Sequence, residues 1–155
     1  MKRKPAEPLT RAQCLVVRSE CTASNLRRAT RAIGRIFDRA LAPAGLKETQ
    51  FNVLIGLSLT GEVPLLRLAH ELGLDRTTLT RNLGPLERDG LVSSAPGTDQ
   101  RMRLLRLTEE GRRTLRLAYP FWEAAQRKVV DALGGGTWKE LLRGLQATRK
   151  LHSGG

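Results

Sequence analysis

The chain has 155 residues and a formal net charge of +12, from 27 Lys and Arg against 15 Asp and Glu. Its apolar and charged fractions, 40% and 27%, are those of a folded protein rather than a disordered one. No apolar run approaches the ~20 residues needed to cross a bilayer, and a basic chain of this kind suits a polyanionic partner.

The basic excess is concentrated at the N-terminus, where residues 1–40 carry ten Lys and Arg against three acids. Residues 1–10 read as a flexible basic tail, and residues 11–21 are compatible with a helix or with irregular structure. No apolar segment of the kind found in signal peptides follows the first residues, so we expect a cytoplasmic protein without a membrane anchor.

Cys14 and Cys21 are the two cysteines of the chain. In a cytosolic protein they are expected to be reduced. Their spacing of seven does not match a zinc motif, and no histidine stands near them. We therefore predict neither a metal site nor a cofactor.

A helical pattern runs from Thr22 to about residue 42 and ends at the turn Pro43–Gly45. Its apolar positions share one face: Leu26, Ala29, Ile33, Ile36, Phe37, Ala40 and Leu41. The opposite face carries Arg28, Arg31, Arg35 and Arg39. These arginines form either a solvated face or a surface that holds DNA phosphates.

Three further helices are predicted in the middle of the chain. The first covers about residues 49–59 and stops at Gly61. The second is short, residues 64–72, with Pro64 in its first turn. The third is capped by Asp75 and ends at residues 89–90, although Gly84-Pro85 should bend it or loosen its middle.

Residues 65–84 read as a helix-turn-helix. Ala69 is small where the two helices cross, and Gly73 supplies the turn. Leucines bury the hinge, namely Leu72, Leu74, Leu79 and Leu83. The second helix presents hydroxyls and arginines outward: Arg76, Thr77, Thr78, Thr80 and Arg81. Such side chains reach phosphates, thymine methyl groups and guanine edges.

A basic hairpin follows, with strands at about residues 91–95 and 102–107. Thr108 then caps a long helix that reaches about Leu133, and Gly134-Gly-Gly136 breaks it. Thr137 and Glu140 form a predicted capping box for a last helix, residues 137–151. That helix carries an apolar stripe of Trp138, Leu141, Leu142 and Leu145.

These motifs resemble those of the MarR (multiple antibiotic resistance regulator) family over roughly residues 25–133. The hairpin signature D-x-R-x-x-x-L-x-L-T, followed by acid and glycine, matches Asp99, Arg101, Leu105, Leu107, Thr108, Glu109 and Gly111. The upstream pattern runs through Thr49, Gln50, Phe51, Leu54, Leu68, Ala69, Leu72, Asp75, Thr78, Arg81, Leu83, Leu86, Glu87, Gly90, Leu91 and Val92.

The resemblance implies a mainly α fold: a winged helix-turn-helix with a short two-stranded β-hairpin wing and N- and C-terminal dimerisation helices. The corresponding segments are a basic N-terminal segment 1–21, a dimerisation helix 22–46, a DNA-binding region 47–110 and C-terminal dimerisation helices 111–155. It further implies a homodimeric regulator whose reading helix enters the major groove of double-stranded DNA and whose wing arginine enters the minor groove.

From the residues and the resemblance together, the predicted DNA contacts are Arg76, Thr77, Thr78, Thr80, Arg81, Asp99, Arg101 and Arg103. Arg101 suits a narrow A·T minor groove, and we expect Asp99 to position its guanidinium.

An enzyme is not expected, because no nucleophile–base set, zinc-protease motif or phosphate loop is visible. An RNA-binding module is disfavoured by the scarcity of aromatic residues available for stacking. Two effector mechanisms remain open for a repressor: release by a small molecule such as an aromatic one, ranked first, and oxidation of Cys14 or Cys21, ranked second.

Overall fold

The computed structural model describes residues 8–97 and 102–149. In chain order the elements are α1 (Arg11–Glu20), α2 (Thr22–Leu41), a 3-10 turn (Ala42–Ala44), α3 (Glu48–Thr60), β1 (Val63–Pro64), α4 (Leu65–Leu72), α5 (Arg76–Arg88), β2 (Val92–Pro96), β3 (Arg103–Leu107), α6 (Glu109–Leu133) and α7 (Gly135–Arg149). The predicted mainly α class with a β-hairpin wing is confirmed. Across the described ranges, no helix has the length and apolarity that a bilayer crossing requires.

The chain falls into two compact units, Met1–Arg35 and Ile36–Gly155. In the first, residues 11–20 form a helix, which decides the alternative that the sequence left open. The Thr10 hydroxyl accepts from the Gln13 N–H at 3.2 Å, and the Gln13 side-chain oxygen accepts from the Thr10 N–H at 2.8 Å. This reciprocal cap satisfies two of the amides that every helix start leaves unpaired.

The elbow between α1 and α2 is closed by side chains of α2. The Asn25 amide donates to the carbonyls of Ser19 at 2.8 Å and Cys21 at 3.1 Å. Arg28 donates to the carbonyl of Arg18 at 3.0 Å. Because these carbonyls lie at the C-terminal end of α1, the bonds supply partners that the helix itself cannot provide.

The core of the second unit is built around α3. Its fully buried large side chains come from α2 to α5 and the sheet: Leu41, Val53, Leu54, Leu57, Val63, Leu68, Leu79, Leu83, Leu86, Leu105 and Leu107. Leu79 and Leu83 of the predicted hinge are among them. Helix α5 runs continuously through Pro85, although this residue has no N–H to offer the carbonyl four residues earlier.

The sheet has a third strand that the sequence analysis did not predict. Its antiparallel order is β1–β3–β2, with Val63 opposite Leu105 and Ala95 opposite Leu104. Pro64 was predicted in the first turn of α4, but it is extended, pairs with Leu104 and immediately precedes the helix. A proline suits this place because it donates no ladder bond and β1 is an edge strand.

The last helix begins at Gly135, so the predicted capping box at Thr137 and Glu140 is wrong. Gly134 has φ +79° and ends α6, with its N–H donating to the carbonyl of Val130. The Gly134 carbonyl accepts from the Trp138 N–H at 3.0 Å, which makes Gly134 the residue that starts the next helix. One glycine thus serves both helix ends, and Thr137 lies inside the first turn.

The start of α6 is pressed against the turn that precedes β2. The Thr108 hydroxyl donates to the carbonyl of Gly90 at 2.7 Å and accepts from the Gly111 N–H at 3.0 Å. A Cβ on Gly111 would lie 2.2 Å from the carbonyl oxygen of Leu91 and 2.6 Å from a methyl group of Leu107. Only glycine permits this approach of helix to backbone.

We predict that Gly111→Ala destabilises the protein by about 1–3 kcal/mol, because a backbone carbonyl cannot yield as a flexible side chain does. Gly144→Ala is the matched control. It lies in α7 with open space around its Cα and should stabilise by about 0.5–1 kcal/mol. Urea unfolding followed by circular dichroism measures both. Equal stability of wild type and Gly111→Ala would contradict the close approach.

Candidate nucleic-acid interface

Helices α4 and α5 meet at a turn that begins with Gly73, which has φ +65°. The N–H of Leu74 donates to the carbonyl of Ala69 at 2.8 Å, and this closes the end of α4. Ala69 is buried, as are Leu79 and Leu83 on the facing side of α5. The predicted turn is present. Of the four leucines predicted to bury the hinge, Leu79 and Leu83 are buried, whereas Leu72 and Leu74 are half-buried.

Asp75 fixes the first turn of α5. Its carboxylate accepts from the Thr78 N–H at 2.8 Å and from the Thr78 hydroxyl at 2.7 Å. These bonds, the backbone one first, lower the pKa of Asp75 below its ordinary value. The ionised carboxylate interacts favourably with the positive end of the helix dipole. Thr78, a predicted DNA contact, therefore has its hydroxyl proton engaged within the protein.

The outward face of α5 carries four of the predicted contacts. Arg76, Thr77, Thr80 and Arg81 are all exposed. The Thr80 hydroxyl donates to the carbonyl of Arg76 at 2.8 Å, which leaves its methyl group and an oxygen lone pair outward. Within the described ranges, neither Arg76 nor Arg81 takes part in an ion pair. Their guanidinium donors are available to phosphates or base edges.

Asn82, half-buried at the edge of this face, was not among the predicted contacts. The Thr49 hydroxyl, at the start of α3, donates to the Asn82 side-chain oxygen at 3.1 Å. The bond uses the oxygen and not the NH2 group of the amide. The signal was available, because an asparagine beside Arg81 on a reading helix has the right chemistry.

The hairpin of β2 and β3, the wing, is tied to α5 by an ion pair. A guanidinium nitrogen of Arg103 contacts both carboxylate oxygens of Glu87, at 2.6 Å from the second. The Arg103 and Glu87 side chains are 39% and 24% exposed. Arg103, predicted as a DNA contact, is thus directed at the reading helix. Its partner Glu87 was not identified from the sequence.

Two predicted contacts, Asp99 and Arg101, lie outside the described residues. The part of the hairpin that is described ends with the Gly97 N–H donating to the carbonyl of Met102 at 2.7 Å.

Apolar side chains remain uncovered on the predicted dimerisation helices. The stripe of α7 is only half-buried at Trp138, Leu142 and Leu145, and Leu141 is 38% exposed. On α2, of the seven apolar positions predicted to share a face, Phe37 and Leu41 alone are buried.

A cavity of about 430 Å³ lies between the C-terminal part of α2 and α6. It is lined by Ile36, Arg39, Ala40, Phe121, Ala124, Ala125 and Lys128. An aromatic ring and small apolar side chains form its walls, and two cations stand at its edge. This combination suits a flat anion with an apolar body.

The two cysteines differ in setting. Cys14 is exposed on α1, and Cys21 is half-buried at the elbow. The pKa of the Cys21 thiol is lowered, first by the hydrogen bond from the Ser24 side chain and then by backbone N–H groups at the start of α2. Arg27 adds a smaller electrostatic contribution in the same direction.

The comparisons with known proteins agree with this architecture. No protein-family model matches the chain. A curated relative, the uncharacterised HTH-type transcriptional regulator YwoH of Bacillus subtilis strain 168, is 31% identical over 85 residues. That match covers 55% of this chain and 62% of YwoH, less than two thirds of the relative.

Solved structures match over much more of the chain. The transcriptional regulator MosR of Mycobacterium tuberculosis, crystallised in complex with DNA, is 39% identical with a TM-score of 0.73, over 85% of this chain and 98% of MosR. A MarR-family regulator from Rhodococcus sp. RHA1 is 25% identical with a TM-score of 0.73, over 84% and 93% of the two chains. The chain therefore belongs to the MarR family of winged helix-turn-helix transcriptional regulators.

Proposed function

We propose that this regulator binds a pseudo-palindromic site on double-stranded DNA as a homodimer, represses transcription there, and is released by a small aromatic anion. The observation that carries the DNA-binding part is the exposed face of α5, where Arg76 and Arg81 have no ionic partner among the described residues. The relative MosR, 39% identical, was crystallised with DNA, which supports the same partner here.

In this proposal α5 lies in the major groove. Arg76 and Arg81 fork onto guanine edges or hold phosphates, and Thr77 and Thr80 contact thymine methyl groups or phosphates. Thr78 acts through the Asp75 cap. From the wing, the family resemblance assigns Arg101 to the minor groove, where Asp99 positions its guanidinium, and Arg103 supports the wing from α5.

The homodimer is supported by the uncovered apolar surface. Segments 22–46 and 111–155 are proposed as the dimerisation helices around the DNA-binding region 47–110. The half-buried Trp138 and Leu142 and the exposed Leu141 and Leu133 would lose water-accessible area against a second copy. A two-fold dimer also matches the symmetry of a palindromic operator.

The effector proposal rests on the cavity lined by Phe121, Arg39 and Lys128. An aromatic carboxylate would stack or pack on the ring and place its charge between the two cations. The cavity lies between α2, a proposed dimerisation helix, and α6, the helix that follows the wing. A ligand that binds here better in one arrangement of these helices would shift the protein away from the DNA-binding arrangement.

Oxidation is the second candidate mechanism, and the observation in its favour is the lowered pKa of Cys21. A larger thiolate fraction increases reactivity towards peroxide. Cys14, exposed on α1, is a second accessible thiol. The cavity supports the ligand mechanism more strongly, because it combines shape, charge and location in one site.

The first prediction concerns Arg81. The operator is first obtained by selection from randomised duplexes. Light scattering of the complex should then find two protomers bound to one operator. Arg81→Gln should lower the salt slope by about 0.9 if the arginine holds a phosphate, or relax one base position by about 1–3 kcal/mol if it reads a guanine. Arg88→Gln, on the same helix but paired with Asp89, is the control. Wild-type affinity and slope in Arg81→Gln would refute its role.

The second prediction separates support of the wing from direct contact with DNA. Glu87→Gln and Arg103→Gln should each weaken operator binding, and the double variant should be no weaker than either single one, with a coupling of about 0.5–3 kcal/mol. Arg106→Gln, an exposed arginine on the same strand, should add independently to Glu87→Gln. Additive losses for the Glu87 and Arg103 pair would mean that Arg103 contacts DNA directly.

The third prediction distinguishes the two effectors in one operator-release assay. Benzoate and related aromatic carboxylates should release DNA from the wild type, and Lys128→Gln should need a higher concentration of the same acid. Arg127→Gln, a neighbour on α6 that pairs with Glu123, should behave as the wild type. Release by peroxide that disappears in Cys21→Ser, without any release by the acids, would instead establish the thiol mechanism.

A further inference from the structure

A concave basic site lies near the beginning of α2. It is a cavity of about 310 Å³ lined by Ser24, Arg27, Arg28 and Arg31. All four residues belong to the first unit, and they occupy consecutive turns of one helix. The DNA contacts proposed above do not include these four residues, and the proposed dimerisation surface of α2 is its apolar side.

The charge around the site is uncompensated. Residues 8–35 contain six arginines and one acid, Glu20. No ion pair in the described ranges includes any of these arginines, whereas Arg67, Arg113 and Arg127 elsewhere are paired with acids. Guanidinium groups gathered on one concave surface repel one another, and a bound anion would relieve that repulsion.

One of the three guanidiniums is already held in place. A terminal nitrogen of Arg28 donates to the carbonyl of Arg18 at 3.0 Å and to the Asn25 side-chain oxygen at 2.9 Å. Because these two bonds restrain the side chain, little side-chain entropy remains to be lost on binding. The other guanidinium nitrogens can still donate to a ligand. The site faces away from the apolar side of α2, which carries Leu26 and Ile33. A partner that covers the apolar side leaves it open.

We propose that the surface formed by Ser24, Arg27, Arg28 and Arg31 binds a compact, multiply charged phosphate-bearing anion such as a diphosphate group. Arginine forks match the geometry of phosphate oxygens and bind them in a bidentate manner. Arg27 and Arg31 are one turn apart, about 6 Å along the helix. This is the scale of a diphosphate, and the groups converge on one concavity rather than extending along a duplex.

The test is isothermal titration calorimetry of the full-length protein with inorganic pyrophosphate, at ionic strength held constant with sodium chloride. The wild type should bind one pyrophosphate per protomer, saturably. Arg27→Gln/Arg31→Gln should weaken binding about tenfold or more. The matched control is Arg11→Gln/Arg35→Gln, which removes the same charge from the same unit but does not line the cavity, and it should bind within about twofold of the wild type.

Cys21 provides a second readout, because Arg27 contributes to the low pKa of its thiol. In a Cys14→Ser background, pyrophosphate should slow alkylation of Cys21 by iodoacetamide, and it should not do so in the Arg27→Gln/Arg31→Gln variant. Equal weakening in both double variants, or no saturable binding, would overturn the proposal. Loss of duplex binding in Arg27→Gln/Arg31→Gln without any pyrophosphate binding would also overturn it and assign the arginines to DNA.

Discussion

The start of α3 is the point on which the position of α5 in the DNA-binding region depends. The carboxylate of Asp38, from the end of α2, accepts from the Glu48 N–H at 2.8 Å. One residue later, Thr49 donates to Asn82 on α5 at 3.1 Å. Two hydrogen bonds on adjacent residues therefore connect the end of α2 to α5 through the start of one helix.

In the proposed effector mechanism, this connection would link the cavity between α2 and α6 to the DNA-binding helix α5. Arg39 lines the cavity and is the immediate neighbour of Asp38. The Glu48 carboxyl lies close to Asp38, and burial first, then the Asp38 charge, raises its pKa. In that mechanism, a ligand that draws Arg39 inward would change the charge near Asp38, which accepts from the Glu48 N–H. Because α3 is packed in the core, a change at its start would reach its neighbours.

Pairing of charges separates the arginines that build the fold from those that are free to bind. Arg103 is committed to Glu87, and Arg113 to Glu110, whose pKa is lowered by that hydrogen bond. Arg76 and Arg81 have no such partner within the described ranges. Net charge alone does not make this distinction. In the proposed function, this basic chain binds DNA through Arg76 and Arg81, which lie on a capped helix.

The sequence predicted most of this fold because its signals are local. The Asp75 cap, the Gly73 turn and the Thr108 start each depend on bonds between residues close in the chain, and all are where the sequence places them. On α5, Leu79 and Leu83 follow helical spacing and are buried. Family resemblance then supplied the order of the elements around them.

The features that were missed depend on residues far apart in the chain. Strand β1 is two residues long and exists because β3 lies beside it. Its partner strand lies some forty positions later in the chain. A run of two residues is also too short to show the alternation of polar and apolar side chains by which a strand is predicted. Gly134 was read as a break, yet its carbonyl starts α7 and displaces the predicted cap at Thr137. Threonine is a common helix cap, but here the positive φ of Gly134 sets the chain direction, and the helix starts three residues before Thr137 could cap it.

The Arg103–Glu87 pair is the most consequential of the missed contacts, because it decides what the wing does. A wing held only by its ladder bonds would sample many orientations, since a two-stranded hairpin is marginally stable alone. Here both supports act on β3: β1 pairs with it along one edge, and the Arg103–Glu87 ion pair attaches it to α5. In the proposed function, the wing and α5 would meet DNA as one preorganised surface, so the entropy cost of ordering them is met during folding rather than on binding.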